Sequence, residues 1–226
     1  MDAHDDAAPP VDLVIFDCDG VLVDSERLTV VVEARMLTEL GWPIMVEEVV
    51  RRFVGGSSEA MLAEIEQHLG ADLTAEFDRR STEEIVAAFH AELRPVDGVR
   101  ELVEALGHAG VPTCIASSGS HRKTDLTLGT THLRPLFEGR IYSGSEVDRG
   151  KPAPDLFLHA AHSMGIEPRR CAVIEDSING VRAAVAAGMT CYGFAGGLSE
   201  RNDLADAGAL VFDTMDELRR VLIPAR

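Results

Sequence analysis

The sequence predicts an α/β protein, a doubly wound parallel sheet with an all-helical cap inserted after its first strand. Three observations carry that expectation. Short apolar runs of parallel-strand type recur at "VDLVIF" (11–16), "VPTCIAS" (111–117), "CAVIE" (171–175), "TCYGF" (190–194) and "ALVF" (209–212). Several are separated by helical stripes, and strand–helix alternation builds a parallel sheet with helices on both faces. Residues 26–95 break the alternation, carrying helical spacing with no strand-type run.

The elements follow in order. The first run ends at Asp17 and Asp19, with Asp24 and Ser25 shaping the turn that follows. In the insertion, Leu28, Val32, Met36 and Leu40 recur at helical spacing before Gly41. Met61, Leu62, Ile65 and Leu69 do so before Gly70, and Phe77, Ile85 and Phe89 continue the pattern. The pattern "EEVVRRF" (47–53) places Arg51 and Arg52 on a solvated helix face. The insertion is entered at "DSER" (24–27) and left at "LRPVDG" (93–98), where Pro95 and Gly98 suit a hinge. The expected division is therefore 1–25 with 96–226 as the core and 26–95 as the cap. In the core, Val99, Leu102, Val103 and Leu106 form a helical stripe ended by Gly110. Phe157, Ala160, Ala161 and Met164 form another ended by Gly165. Ser177 reads as a helix cap, Gly180 as a point of close packing and Gly188 as a helix stop.

Composition narrows the function classes. With 226 residues and 46 % hydrophobic content, the chain can bury a full core. Acidic residues outnumber basic ones 38 to 21, for a formal charge of −17, which argues against a nucleic-acid or membrane-surface partner held by a basic patch. An anionic ligand needs a metal ion or local donors to reverse that field. Cys18, Cys114, Cys171 and Cys191 lie in or beside apolar runs without Cys-x-x-Cys spacing and read as reduced core thiols. His108, His159 and His162 fall in helical patterns as structural or surface residues. The acidic start "MDAHDDAAPP" has no signal pattern, and no stretch reaches the roughly 18 apolar residues of a spanning helix, so a cytoplasmic protein is expected. The oligomeric state is not readable.

Open parallel sheets bind ligands beyond the carboxyl ends of their strands. Those ends offer Asp17 and Asp19, then Ser117, Ser118 and Gly119, then Glu175 and Asp176, while Lys151 stands in "RGKPAPD" (149–155). Lys151 is one of two lysines in a chain with 19 arginines. Clustered carboxylates repel one another, and Mg²⁺ is the natural remedy, since it takes a few carboxylates, water and a phosphate oxygen. A lysine, a hydroxyl and backbone N–H groups then suit the other phosphate oxygens. The set reads as phosphoryl transfer, one aspartate attacking phosphorus and another handling the proton. In the cap, the turn "FVGGSSEAM" (53–61) brings Gly55, Gly56 and Ser58 as candidates to face the metal. "SHRK" (120–123) offers Arg122 to an anionic substrate, or is simply a solvated helix start.

The motifs "FDCDGVLVDSE", "IASSG", "RGKPAPD" and "VIEDSINGVRAAVAAGM" together resemble the haloacid dehalogenase superfamily, in its capped phosphatase and phosphomutase branch, from about Val11 to Gly197. The resemblance implies that Asp17 is the nucleophile and a Mg²⁺ ligand. It makes Asp19 the general acid/base, with its carbonyl on the metal. Ser117 and Lys151 would hold the phosphoryl group, and Glu175 and Asp176 would complete the metal shell. An aspartate two residues after the nucleophile excludes the dehalogenase reaction. The expected activity is hydrolysis of a small phosphorylated metabolite, such as a sugar or sugar-acid phosphate of the 6-phosphogluconate type. A β-phosphoglucomutase-like mutase is the alternative, weakened because Thr29 stands where the mutases carry a histidine and Ser58 where their cap loop offers an arginine. A signalling receiver domain also uses clustered acids and a lysine, but has no use for the cap.

Overall fold

The computed structural model describes residues 11–54 and 58–223. Among them, β1 (Leu13–Phe16), β2 (Thr113–Ser117), β3 (Ile141–Ser143), β4 (Cys171–Glu175), β5 (Thr190–Phe194) and β6 (Leu210–Phe212) form one sheet in the order β3-β2-β1-β4-β5-β6. Every pairing is parallel. The five predicted strands are present, and β3 is an addition. It is a three-residue edge strand whose only ladder partner is β2, too short to leave an apolar run in the sequence.

The wholly apolar character of β1 has a simple cause. Successive side chains point to opposite faces of a strand, and helices cover both faces here. Val14 and Phe16 enter one core with α5 (Val99–His108), α6 (His121–Thr130) and α10 (Met215–Leu222). Leu13 and Ile15 enter the other with α7 (Asp155–Ser163), α8 (Ile178–Ala186) and α9 (Arg201–Asp206). The chain builds outward from β1 through β2 to β3, then returns to place β4 on the other side of β1. The sequence direction therefore reverses at β1, with the registers Phe16↔Ile115 and Phe16↔Ile174 aligning the three carboxyl ends. Such a reversal opens a crevice at the strand ends.

The insertion folds as α1 (Ser25–Glu39), α2 (Val46–Phe53), α3 (Ser58–Leu69) and α4 (Ala71–Glu92) around their own core, which includes Val30, Met36, Leu37, Val49, Ile65 and Phe77. Arg51 and Arg52 are exposed on α2 as expected, with Arg52 paired to Glu48 at 2.7 Å. The far end of α4 behaves differently. Phe89 and Leu93 pack into the sheet's core beside Val14 and Phe16 and fasten the helical bundle to it. The two linkers also bind each other, with the Asp24 N–H donating to the Arg94 carbonyl at 3.1 Å and the Val96 N–H to the Leu22 carbonyl at 3.0 Å. All four cysteines are free and buried. No helix of the described residues is long and apolar enough to cross a membrane.

Phe89 is 2 % exposed at the junction of bundle and sheet, so Phe89→Ala should lower the unfolding free energy by about 3–5 kcal/mol. The urea midpoint, followed by emission of Trp42, the chain's one tryptophan, measures it.

Candidate active site

At the carboxyl ends of β1, β2 and β4 lies a cleft of about 690 Å³, whose lining includes Asp17, Asp19, Ser118, Gly119, Lys151, Glu175 and Asp176. Lys151 organises its floor. An ammonium has three donors, and all three are engaged. They go to the Asp17 carboxylate, to Glu175 Oε1 at 2.7 Å and to the Ala116 carbonyl at 3.1 Å, one group from each strand end. The side chain is 5 % exposed and its ammonium lies 4.8 Å from the Phe157 ring centre. Burial alone disfavours the charge, but the carboxylates of Asp17 and Glu175 outweigh it and hold the lysine protonated.

The turn after β4 fixes Glu175. Its Oε2 accepts the N–H groups of Asp176 and Ser177, both at 3.0 Å, and the Ser177 hydroxyl at 2.9 Å. Ser177 Oγ in turn accepts the Gly180 N–H at 3.0 Å, capping α8 as expected. Gly180 is required here, because a Cβ would sit 1.7 Å from Glu175 Oε1. With both oxygens so engaged, Glu175 acts in this arrangement as the anchor of Lys151.

Asp176 is the contrast. It is 2 % exposed, and no described residue donates a hydrogen bond to its carboxylate. Gly20 and Gly197 press against it, and a Cβ at either would lie 2.0 or 2.5 Å from Oδ2. Burial first, then the carboxylates of Glu26, Glu175 and Asp17, push its pKa well above the usual range. Asp17 is raised to about 7, chiefly by burial and against the pull of Lys151. Buried carboxylates that repel one another, as Asp17 and Asp176 do here, fit Mg²⁺. Among the described residues no group of three acidic, histidine or cysteine side chains is arranged to hold an ion by itself. The cation would complete its shell from the main chain, water and a phosphate oxygen, as Mg²⁺ commonly does.

Asp19 is held at both oxygens. The Ser25 hydroxyl donates to Oδ1 at 2.5 Å and Lys123 Nζ lies 2.9 Å from Oδ2. Neither contact was anticipated. Ser25, expected only to shape the turn, is the first residue of α1 and 1 % exposed, so it ties the helical insertion to Asp19. Lys123 lines the cleft where Arg122 was expected. Ser120 caps α6, and one residue further along a helix rotates the side chain by about 100°. Arg122 is accordingly exposed and absent from the lining. Rarity was the available signal, since both lysines of the chain stand in this cleft.

Ser117 lies beneath the lining, 1 % exposed, with its Oγ accepting the Gly119 N–H at 3.0 Å and so shaping the loop. Val54 lines the cleft, while Gly55 and Gly56 lie outside the described residues. Ser58 opens α3, and its side chain also lies outside the description. Glu26, Asn179, Arg182 and Ser199, none of them anticipated, complete the rim.

Known proteins are similar to this chain in sequence and in fold. A family model described as haloacid dehalogenase-like hydrolase matches residues 11–188. The 6-phosphogluconate phosphatase of Escherichia coli K12 is 30 % identical over 185 residues, covering 81 % of this chain and 82 % of the relative. A phosphorylated carbohydrates phosphatase of Thermotoga maritima is 31 % identical over 214 residues, covering 94 % and 98 %. The crystal structure of a putative β-phosphoglucomutase from Thermotoga maritima superposes with a TM-score of 0.80 at 31 % identity, covering 94 % of this chain and 98 % of that one. With the aspartates at the end of β1, the buried lysine and the acidic turn after β4 all inside the matched segment, the chain belongs to the haloacid dehalogenase-like hydrolases.

Proposed function

We propose that this hydrolase is a Mg²⁺-dependent phosphatase of small phosphorylated metabolites, sugar or sugar-acid phosphates in particular, working through an aspartyl phosphate. The observation that carries the reading is the lysine whose three donors join Asp17, Glu175 and the end of β2. It places a fixed positive charge against the nucleophile, where the anionic phosphoryl group must arrive. Asp17 attacks phosphorus. Asp19 protonates the leaving oxygen and afterwards takes a proton from the water that cleaves the aspartyl phosphate. Lys151, with the loop of Ser117, Ser118 and Gly119, holds the phosphoryl oxygens. Asp17, Asp176 and the Asp19 carbonyl are the groups assigned to Mg²⁺, which when bound neutralises charge on the phosphoryl oxygens. Residues 26–95 act as a lid on the paired linkers, excluding water while the leaving group departs.

Two features favour hydrolase over mutase. The Thr29 hydroxyl donates to the Ser25 carbonyl at 2.9 Å within its own helix, and Arg52 is tied to Glu48 and Glu64. Neither is directed to a second phosphate. Incubating β-glucose 1-phosphate with enzyme, Mg²⁺ and a trace of β-glucose 1,6-bisphosphate should release inorganic phosphate in the phosphorus NMR spectrum. Rapid conversion to glucose 6-phosphate would establish the mutase instead.

Two substitutions test the roles. Asp19→Ala should slow turnover of a sugar phosphate by roughly 10²-fold or more while sparing much of the phosphorylation of Asp17 by p-nitrophenyl phosphate, whose leaving group needs no proton. Equal losses on both substrates would contradict the role. Activity should vanish in EDTA and return with Mg²⁺. Asp176→Asn should raise the Mg²⁺ concentration for half-maximal rate by about 10-fold or more, since it removes one ligand charge.

A further inference from the structure

We propose that Arg182 forms the far end of the substrate site and takes a carboxylate of the substrate, so that the preferred substrates are phosphomonoesters of sugar acids. The inference rests on the phosphatase reading and narrows its substrate class. Three cations line the cleft: Lys123, Lys151 and Arg182. Lys151 has all its donors on the floor of the site, and Lys123 is paired with Asp19. Arg182 is exposed to the cleft, and no described residue places a carboxylate within ion-pairing distance of it. Several surface arginines also stand without a carboxylate, but among the described residues Arg182 is the arginine that lines the cleft.

Position and charge both favour a carboxylate. Asn179 and Arg182 are three residues apart on α8 and share a face. At about 1.5 Å per residue, Arg182 stands about 6 Å further along that helix than Ile178, which lines the cleft beside Asp176. Such a separation suits a short sugar chain with its phosphate at one end and a second anion at the other. A guanidinium matches carboxylate and phosphate alike, through two parallel N–H bonds. The lining, however, sets five carboxylates (Asp17, Asp19, Glu26, Glu175 and Asp176) against three cations. One further negative charge is accommodated there more readily than the nearly two of a second phosphate.

The test compares kcat/KM for 6-phosphogluconate with that for sorbitol 6-phosphate, the same chain with a hydroxymethyl group in place of the carboxylate. The enzyme should favour the acid by about 10- to 100-fold, the range of one charge-assisted contact. Arg182→Gln should remove most of that ratio and Arg182→Lys should restore part of it. Calorimetric binding of both compounds to Asp17→Asn, with and without Arg182→Gln, should show the same contrast in the absence of turnover. Binding contrast without any hydrolysis by the unmodified enzyme would sustain the carboxylate site and sink the phosphatase reading. No preference for the acid, equal losses on both compounds, or a larger loss on glucose 1,6-bisphosphate than on the acid would overturn the proposal.

Discussion

The ammonium of Lys151 is the interaction on which the rest of the site depends. Three neighbouring strand ends each bring an acceptor to one place, two of them carboxylates, inside a protein already rich in negative charge. Without a cation at their centre, Asp17 and Glu175 would repel each other in surroundings too dry to screen them. The lysine converts that repulsion into a fixed geometry. A compact ammonium suits the position, since its three donors diverge to three separate acceptors, whereas a guanidinium fork is planar and shaped for one. The use of lysine in a chain that otherwise prefers arginine follows from this.

From that centre the structure extends in two directions. Glu175 reaches through its second oxygen into the first turn of α8, so the position of the lysine is coupled to a helix cap. Asp176, next in sequence, is turned the other way, into a niche formed by two glycines. Adjacent acids thus serve opposite ends: one is bonded at both oxygens to Lys151 and the turn after β4, and the other faces the cleft from its glycine niche. Asp19 connects to the helical insertion through Ser25 and to α6 through Lys123, so the group assigned to proton transfer is held by an element on each side of the cleft.

The sequence made the fold legible wherever a segment carried its own pattern. The apolar runs of β1, β2, β4, β5 and β6 and the stripes of α1, α3, α5 and α7 are properties of a few consecutive residues. β3 left no such trace because a three-residue edge strand with two half-buried residues and a buried serine needs no apolar run. The same distinction governs the site. Asp17, Ser117 and Asp176 could be placed because each directly follows or ends a strand. Ser25, Lys123 and Arg182 could not, because their meeting with the cleft depends on how helices from distant parts of the chain are rotated. Glu175 could be placed at the end of β4, but its bonds to Ser177 and Lys151 could not, since they are a matter of three-dimensional contacts.

The paired linkers have an architectural implication. Because the Asp24 and Val96 amides bond across to Arg94 and Leu22, the chain leaves the sheet domain and returns to it at one point, through a two-stranded ribbon. Apart from side chains such as Ser25, Phe89 and Leu93, which reach into the sheet domain, what lies between is topologically a hairpin loop. The entropy of closing such a loop grows only slowly with its length. A module that keeps those few contacts can therefore vary in length and content between the same two residues at little entropic cost to the sheet domain. The ribbon is a socket, and exchange of the module it holds is a direct route by which one set of strand-end residues can be presented with different molecules.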